Sequence, residues 1–359
     1  MRCPTPRPDT IGPVTDRNGA PRTVLAAPDS FKGTAGAAHL AEAVSAGARA
    51  AGWESDPCPL SDGGEGFAQV VAARHAGEGA WRTTRVTGPL GVPVEASWWL
   101  GVGEAVVESA AASGLPLAGG REGNDPVAAT TRGTGELIVA AVGAGAGRVL
   151  VGVGGSATTD GGRGALEAIE ESGGLGGAEV VVACDVQTRF VDAAEVFGPQ
   201  KGATPGQVGE LRRRLEDFVV ELEERYGVDV SALPGGGAAG GLAGGLGATG
   251  ARLVPGFDVV AEAVGLAGRL RAAQLVVTGE GCLDESSWSG KVVGGVVRLA
   301  RPVGVPVLVV AGSVVGKVLD PGGVEVRSLT ARFGPDQARS DPVGCVERTV
   351  REFLAGMPG

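Results

Sequence analysis

TVLAAPDSFKGT, residues Thr23–Thr34, decides the fold. A short β-branched run, Thr23–Ala27, stops at Pro28 and Asp29. A glycine-bearing loop then opens into the Ala-rich stretch Ala35–Ala51, where Leu40, Val44 and Ala48 fall on one helical face. The same pattern returns at Arg148–Val153, Glu179–Cys184, Gln274–Thr278 and Val305–Ala311, runs that end repeatedly in glycine-rich, acid-bearing loops. Strands apolar along their whole length are buried on both faces, which is the habit of parallel sheets covered by helices. Strand, loop and helix in alternation predict an α/β protein.

Two segments depart from that rhythm. Residues Trp81–Glu108 hold the turn Gly88-Pro89-Leu90-Gly91 between strand-like stretches, including Glu95–Leu100 and Ala105–Val107, and so predict an antiparallel meander. A smaller α/β domain inserted into the first accounts for it. Residues Gly206–Tyr226 space Val208, Leu211, Leu215, Phe218, Leu222 and Tyr226 by three and four, an amphipathic helix. Thr204 as N-cap, Pro205 at the first helical position and Gln207 three residues after the cap predict a capping box, and Gly227 supplies the stop.

Composition closes several functional classes. The 359 residues carry a formal net charge of -10, and the basic residues form no run longer than Arg212-Arg213-Arg214, so the chain lacks the footprint of a nucleic-acid binder. An acidic protein repels anions at long range, so an anionic substrate needs local donors. The five cysteines, Cys3, Cys58, Cys184, Cys282 and Cys345, are scattered without a CxxC pair. That speaks against a disulfide framework or a zinc site and for a reducing cytoplasm. With His39 and His75 as the sole imidazoles, the sequence speaks against a histidine triad or a multi-histidine metal site. The proline-rich first 22 residues read as a disordered extension, not a signal peptide. The apolar stretch 137–155 is split by Arg148 and glycines, which makes it a buried helix and strand and not a membrane span.

Chemistry concentrates in the loops. Asp29, Ser30 and Lys32 stand where a strand gives way to a helix, the place where α/β sheets take ligands; a capped helix start with an exposed lysine is the competing reading. Asp62 and Glu65 in SDGGEG form a candidate Mg²⁺ ligand pair, against helix-dipole complements as the alternative. Ser156, Thr158 and Asp160 in GGSATTDGG gather hydroxyls and an acid behind a buried strand. Asp185 ends the strand Glu179–Cys184, and Glu280 and Asp284 follow Thr278 in TGEGCLD. The four lysines, Lys32, Lys201, Lys291 and Lys317, each adjoin a glycine, a setting that suits phosphate oxygens approached by backbone amides. No P-loop is present, and Gly235–Gly240 matches GxGxxG by composition alone, without a preceding strand. Acids, lysines and amide donors without histidine suit phosphoryl transfer. If so, Asp29, Lys32, Asp62, Asp185, Glu280 and Lys291 are expected to surround one cleft.

APDSFKGT (27–34), DGGEG (62–66), AAASGLPL (110–117), TTRGTGELI (130–138), GGSATTDGG (154–162), VFGPQKGAT (196–204), GAAGG (237–241) and TGEGCLD (278–284) resemble, in order, the motifs of the type I glycerate kinase family, over about residues 24 to 355. The resemblance implies a flavodoxin-like (Rossmann-like) parallel-sheet domain over 23–78 and 262–359, a second, smaller α/β domain inserted over 79–261, and ATP and glycerate meeting between them. It implies ATP and Mg²⁺ as cofactors and glycerate as the small-molecule substrate, in a cytoplasmic monomer or homodimer with neither nucleic acid nor membrane as partner. Asp185, Asp62 and Lys32 are then the catalytic candidates. Asp29, Ser30, Ser156, Thr158, Asp160, Glu280, Asp284 and Lys291 bind substrate, Lys201, Gly237 and Gly240 bind the nucleotide, and Asp62 and Glu65 hold the metal.

The chain also departs from the family pattern. Cys282 stands in place of an arginine, Ser286-Ser287 in place of Gln-Thr, and Gln187-Thr188-Arg189 in place of Asp-Asn-Pro. Thr159 replaces an asparagine, and Arg132 a tyrosine. A catalytically degenerate ligand-binding relative, or a kinase of another hydroxy acid, are the two alternatives these changes raise. They also motivate the idea that Arg132 or Arg189 resupplies the charge lost at Cys282.

Overall fold

The computed structural model describes Val14 and residues 21–357, save 75–76, 186, 290 and 317–322. Lys317 and nearly all of the expected extension over 1–22 lie outside the described residues. In chain order the strands are β1 (Thr23–Ala26), β2 (Glu54–Pro57), β3 (Gly79–Thr87), β4 (Pro93–Gly101), β5 (Glu104–Glu108), β6 (Arg148–Gly152), β7 (Glu179–Ala183), β8 (Arg252–Val254), β9 (Leu275–Thr278), β10 (Cys282–Leu283), β11 (Val307–Ala311), β12 (Ser313–Val314) and β13 (Val324–Ser328). The chain divides into two units, residues 1–60 with 265–359 and residues 61–264.

The first unit is a five-stranded sheet in the order β13-β11-β9-β1-β2, parallel throughout. Counting its own strands along the chain, that order is 2-1-3-4-5 read from the other edge, the flavodoxin-like arrangement, with a switch point between β1 and β9. The inner strands β1, β9 and β11 are apolar and almost wholly buried, as in a sheet covered by helices, while the edge strands β2 and β13 carry polar residues. On one face the helices Ala37–Ala50 and Pro342–Ala355 cross so closely that a Cβ on Gly47 would stand 2.6 Å from the Glu347 carbonyl. Their core includes Leu40, Val44, Ala48, Val346 and Val350. Val14 also belongs here: its amide donates to the Gly52 carbonyl at 2.8 Å, so at this residue the N-terminal segment is docked.

The second unit has a six-stranded sheet in the order β3-β4-β5-β6-β7-β8. β3, β4 and β5 form the antiparallel meander, and β5 through β8 run parallel. The helix Pro205–Tyr226 buries Leu211, Leu215, Phe218 and Leu222, while Val208 and Tyr226 lie at the half-buried ends of the stripe. Its start is the capping box read from sequence: the Gln207 amide donates to the Thr204 hydroxyl, and the Gln207 side chain accepts from the Thr204 amide. Such a cap stabilises a helix by about 1 kcal/mol.

The inserted unit is the larger one, which corrects the expectation that it is the smaller. It also begins at Ser61 rather than after residue 78. The reason is the helix Phe67–Ala73, whose Phe67 is fully buried against Gly152 of β6 and whose first turn is held by Glu108 of β5. The stretch from Asp62 to Ala73 therefore packs on the second sheet, although it follows the first sheet's strands in sequence.

Candidate active site

In the first unit, the loops after β1 and β9 flank the switch point. The Asp29 amide donates to the Gly279 carbonyl at 2.9 Å, and Asp29 Oδ1 accepts from the Ser30 amide at 2.6 Å. Gly281 brings the second loop against the first, since a Cβ there would lie 3.3 Å from Phe31 Cα. The Gly312 amide donates to the Glu280 carbonyl at 3.0 Å, and β10 pairs with β12, so the loop carrying Glu280 is also tied to the end of β11. Asp29 and Ser30 are buried, Glu280 is half-buried, and Lys32 is exposed at the tip.

Asp284 lies farther along the same loop and has a structural task of its own. Its Oδ1 accepts from the Ser286 amide at 2.8 Å and the Ser286 hydroxyl at 2.6 Å, and its own amide donates to Ser287 Oγ at 2.9 Å. The Ser286 hydroxyl, first, and then Lys291 nearby hold this carboxyl below its ordinary range. Lys291 Nζ donates to Ser286 Oγ at 2.8 Å from the N-cap position of the helix Val292–Ala300. The serines that depart from the family pattern thus form the turn that links Asp284 to Lys291. An ammonium at a helix start is a favourable place for an anion.

In the second unit, three loops meet at the carboxyl ends of β6 and β7. The Gly256 amide donates to Asp185 Oδ1 at 3.0 Å, and a Cβ on Gly256 would lie 2.0 Å from the Asp62 carbonyl, so the segments bearing Asp62 and Asp185 are immediate neighbours. Gly154 approaches Gly64 to a distance that a Cβ would reduce to 2.8 Å, which brings in the loop carrying Ser156. Asp62 Oδ1 accepts from the Gly64 amide at 3.0 Å; Glu65 is exposed.

Asp160 and the threonines face the interior. Asp160 Oδ2 accepts from the Thr131 amide and hydroxyl, each at 2.8 Å, and from the Gly164 amide at 3.3 Å, while Oδ1 accepts from the Gly162 amide at 3.1 Å. Thr158 and Thr159 are buried, and their hydroxyls meet no hydrogen-bond partner among the described residues. Lys201 is buried as well and donates from Nζ to the Thr158 carbonyl at 2.5 Å. Burial pushes its ammonium down to about 7, with Asp160 nearby acting in the opposite sense. Gly237 and Gly240 are close-approach glycines: the Gly237 amide donates to the Thr188 carbonyl at 2.9 Å, and a Cβ on Gly240 would lie 2.0 Å from the Thr158 carbonyl.

One acid at this edge escaped the sequence reading. Glu108 closes β5 directly opposite Gly152 of β6, and its carboxylate accepts from the Ala68 amide at 2.8 Å. Burial raises its carboxyl above the ordinary range, against the pull of backbone donors at Ala68 and Gly66 and with Glu65 adding to the rise. The signal was available, since an acid ending a buried β-branched run is the feature that marked Asp185.

The two arginines that depart from the family pattern are engaged locally. Arg132 Nε donates to Glu136 at 3.1 Å and its terminal nitrogens to Glu171; Arg189 Nε donates to Asp192 at 2.7 Å.

With this geometry, the family-level comparison is decisive. The model of the glycerate kinase family matches residues 24–173 and 170–352. The chain belongs to the glycerate kinase family. An uncharacterized protein of Mycobacterium tuberculosis is 43% identical over 311 residues, covering 81% of this chain and 79% of its own. Glycerate 2-kinase of Escherichia coli is 38% identical over 346 residues, covering 86% and 89%. A crystal structure described as a glycerate kinase 2 from Salmonella typhimurium superposes with a TM-score of 0.74 at 33% identity, covering 93% of this chain and 97% of that one. Membership in a kinase family brings a nucleotide and a small-molecule acceptor as substrates. No helix among the described residues is long and apolar enough to cross a membrane.

Proposed function

We propose that the protein phosphorylates glycerate from ATP with Mg²⁺, giving 2-phosphoglycerate, in the cytoplasm. The observation that carries this reading is the placement of acids and hydroxyls at the carboxyl ends of parallel strands in a chain of this family: Asp29 after β1, Glu280 after β9, Ser156 after β6 and Asp185 after β7. Phosphoryl transfer asks mainly for positioning and charge neutralisation, which carboxylates, lysines and backbone amides supply without an imidazole.

In this reading Asp185, or Asp62 beside it, orients the attacking hydroxyl and accepts its proton. Ser156 hydrogen-bonds substrate from the adjoining loop. Lys32 and Lys291, with the helix start behind Lys291, meet phosphate or carboxylate charge. Thr158 and Asp160, which the motif resemblance assigns to substrate, serve in this reading to hold their loop, because the Thr158 carbonyl and the Asp160 carboxylate are engaged inside it.

Asp62 and Glu65 fit a magnesium ion that arrives on nucleotide phosphates. Among the described residues no group of three or more His, Cys, Asp or Glu side chains encloses a metal position. Magnesium takes one or two carboxylates from a protein and keeps several of its waters. When bound, it neutralises charge on the transferring phosphoryl group.

ADP release with D-glycerate, ATP and Mg²⁺ tests the proposal. Turnover is expected. Binding of ATP and glycerate without turnover would move the protein to the degenerate ligand-binding class, and turnover with a different hydroxy acid alone would reassign its substrate.

A further inference from the structure

Lys201 occupies a position that packing alone does not explain. It sits in the turn after the helix Ala193–Phe197, is 3% exposed, and points its ammonium at the Thr158 carbonyl, 2.5 Å away. Asn124 Nδ2 donates to the carbonyl of Ala157 at 3.0 Å and to that of Lys201 itself at 2.9 Å. Two consecutive carbonyls of the loop after β6 are therefore held by two residues that are also tied to each other, a closed ring of hydrogen bonds.

The rest of the loop is fixed from the same side. Gly240 packs its backbone against the Thr158 carbonyl, and Asp160 anchors the loop's end to Thr131. Burying an ammonium is costly, and an apolar chain of similar length would fill the space without that cost. The lysine earns its place through what it holds.

We infer that Lys201 is a positioning residue: with Asn124 it sets the backbone of Ser156–Asp160 from within the unit, and it contacts neither substrate nor nucleotide. The inference rests on the kinase reading for its activity readout alone. Its structural readout is independent, because the loop's amides exchange with solvent at rates that report how firmly their backbone is held.

The test is amide hydrogen exchange of residues 155–162, beside steady-state kinetics, in Lys201→Met. Exchange there is expected to rise roughly tenfold or more, the scale of one lost charge-assisted hydrogen bond, with protection of Val24–Ala26 in the other unit unchanged. The kcat value is expected to fall about tenfold while the KM for ATP stays within about twofold. Unchanged exchange, or a rise in the KM for ATP with kcat intact, overturns the inference, the latter by making Lys201 a nucleotide contact. Should Lys201→Met fail to fold, Asn124→Ala leaves the ammonium in place and opens the same ring: faster exchange supports the inference, and unchanged exchange overturns it. Absence of glycerate turnover in the wild-type protein would sink the kinase reading and leave the exchange result to judge Lys201.

Discussion

The two units carry their candidate residues in opposite ways. In the first, Asp29 is buried but the other charged groups stand nearer the surface of their loops: Lys32 is exposed, Lys291 is half-buried, and Asp284 is engaged in a short cap with Ser286 and Ser287. In the second, the polar groups are drawn inward: Lys201, Thr158 and Thr159 are buried, and Asp160 spends both oxygens on backbone and hydroxyl donors. The difference teaches that the same motif grammar of glycine, acid and hydroxyl serves two tasks. One unit displays charge; the other builds a rigid loop with charge inside it. Substitution of the displayed charges in the first is then expected to change activity without stability, and substitution of the fully buried groups in the second, Lys201 above all, to change both.

The largest effect is expected at Asp185. Asp185→Asn keeps an oxygen for the Gly256 amide but removes the base, so kcat/KM is expected to drop by roughly 10²–10⁴ with little change in thermal stability. Asp62→Asn is the control. Whichever of the two loses more activity orients the hydroxyl, and a loss under about tenfold in both would remove this edge of the second sheet from the chemistry.

Lys201 sharpens the stability side of the comparison. Its folded value, about 7, is lowered from an ordinary 10.5, so both states hold the proton at low pH and folding bears the full burial cost there. Between about 7 and 10.5 the folded protein has released a proton that the unfolded chain still binds, and stability must rise with pH across that window, by an amount on the order of a few kcal/mol. Asp160, the charged group that acts on this ammonium, opposes the shift. Lys201→Met is therefore expected to gain most over wild type near pH 6 and to lose that advantage towards pH 10. Thermal melts across this range check it; a pH-independent difference would show that Lys201 keeps its charge when folded. Lys32→Ala is the counterpart in the first unit, expected to lower kcat/KM roughly 10- to 100-fold while stability shifts by no more than about 0.5 kcal/mol.

Much of the fold was legible because it rests on local pattern. The buried strands end within one or two residues of their apolar runs, and the capping box at Thr204 formed as its spacing requires. The expected end of the first domain's opening segment was placed late because nothing local distinguishes the helix Phe67–Ala73 from one that covers the first sheet. What assigns it to the second unit is Glu108, 40 residues away in sequence. Lys201 was equally opaque. A lysine before glycine reads as a loop cation, and the interior that turns it into a strut is built by Asn124, Thr158 and Phe197, with the Phe197 ring 5.9 Å from its ammonium. Burial of a charge is a tertiary fact, and no spacing rule carries it.

Cys282 offers the smallest effect and the finest test of the displayed-charge unit. It is exposed on β10 between Glu280 and Asp284, where the family pattern has an arginine. A thiol there offers no fork of donors to a carboxylate or phosphate. Compensation by Arg132 would require that side chain to leave Glu136 and Glu171, and Arg189 would have to leave Asp192, pairings that each arginine already makes within the second unit. All three are pairs at or near the surface, each worth up to about 1 kcal/mol, so any of them can be broken, but neither arginine is waiting for an anion. From these pairings the expectation is that the charge at Cys282 is missing and has not been moved. Cys282→Arg is expected to raise kcat/KM by roughly tenfold, the lower end of a charged hydrogen bond, mainly through a lower KM. Arg132→Ala and Arg189→Ala are expected to leave kcat/KM within about twofold and to cost stability modestly. A flat result for Cys282→Arg together with a tenfold loss in Arg132→Ala or Arg189→Ala would overturn this and show that the charge has been resupplied.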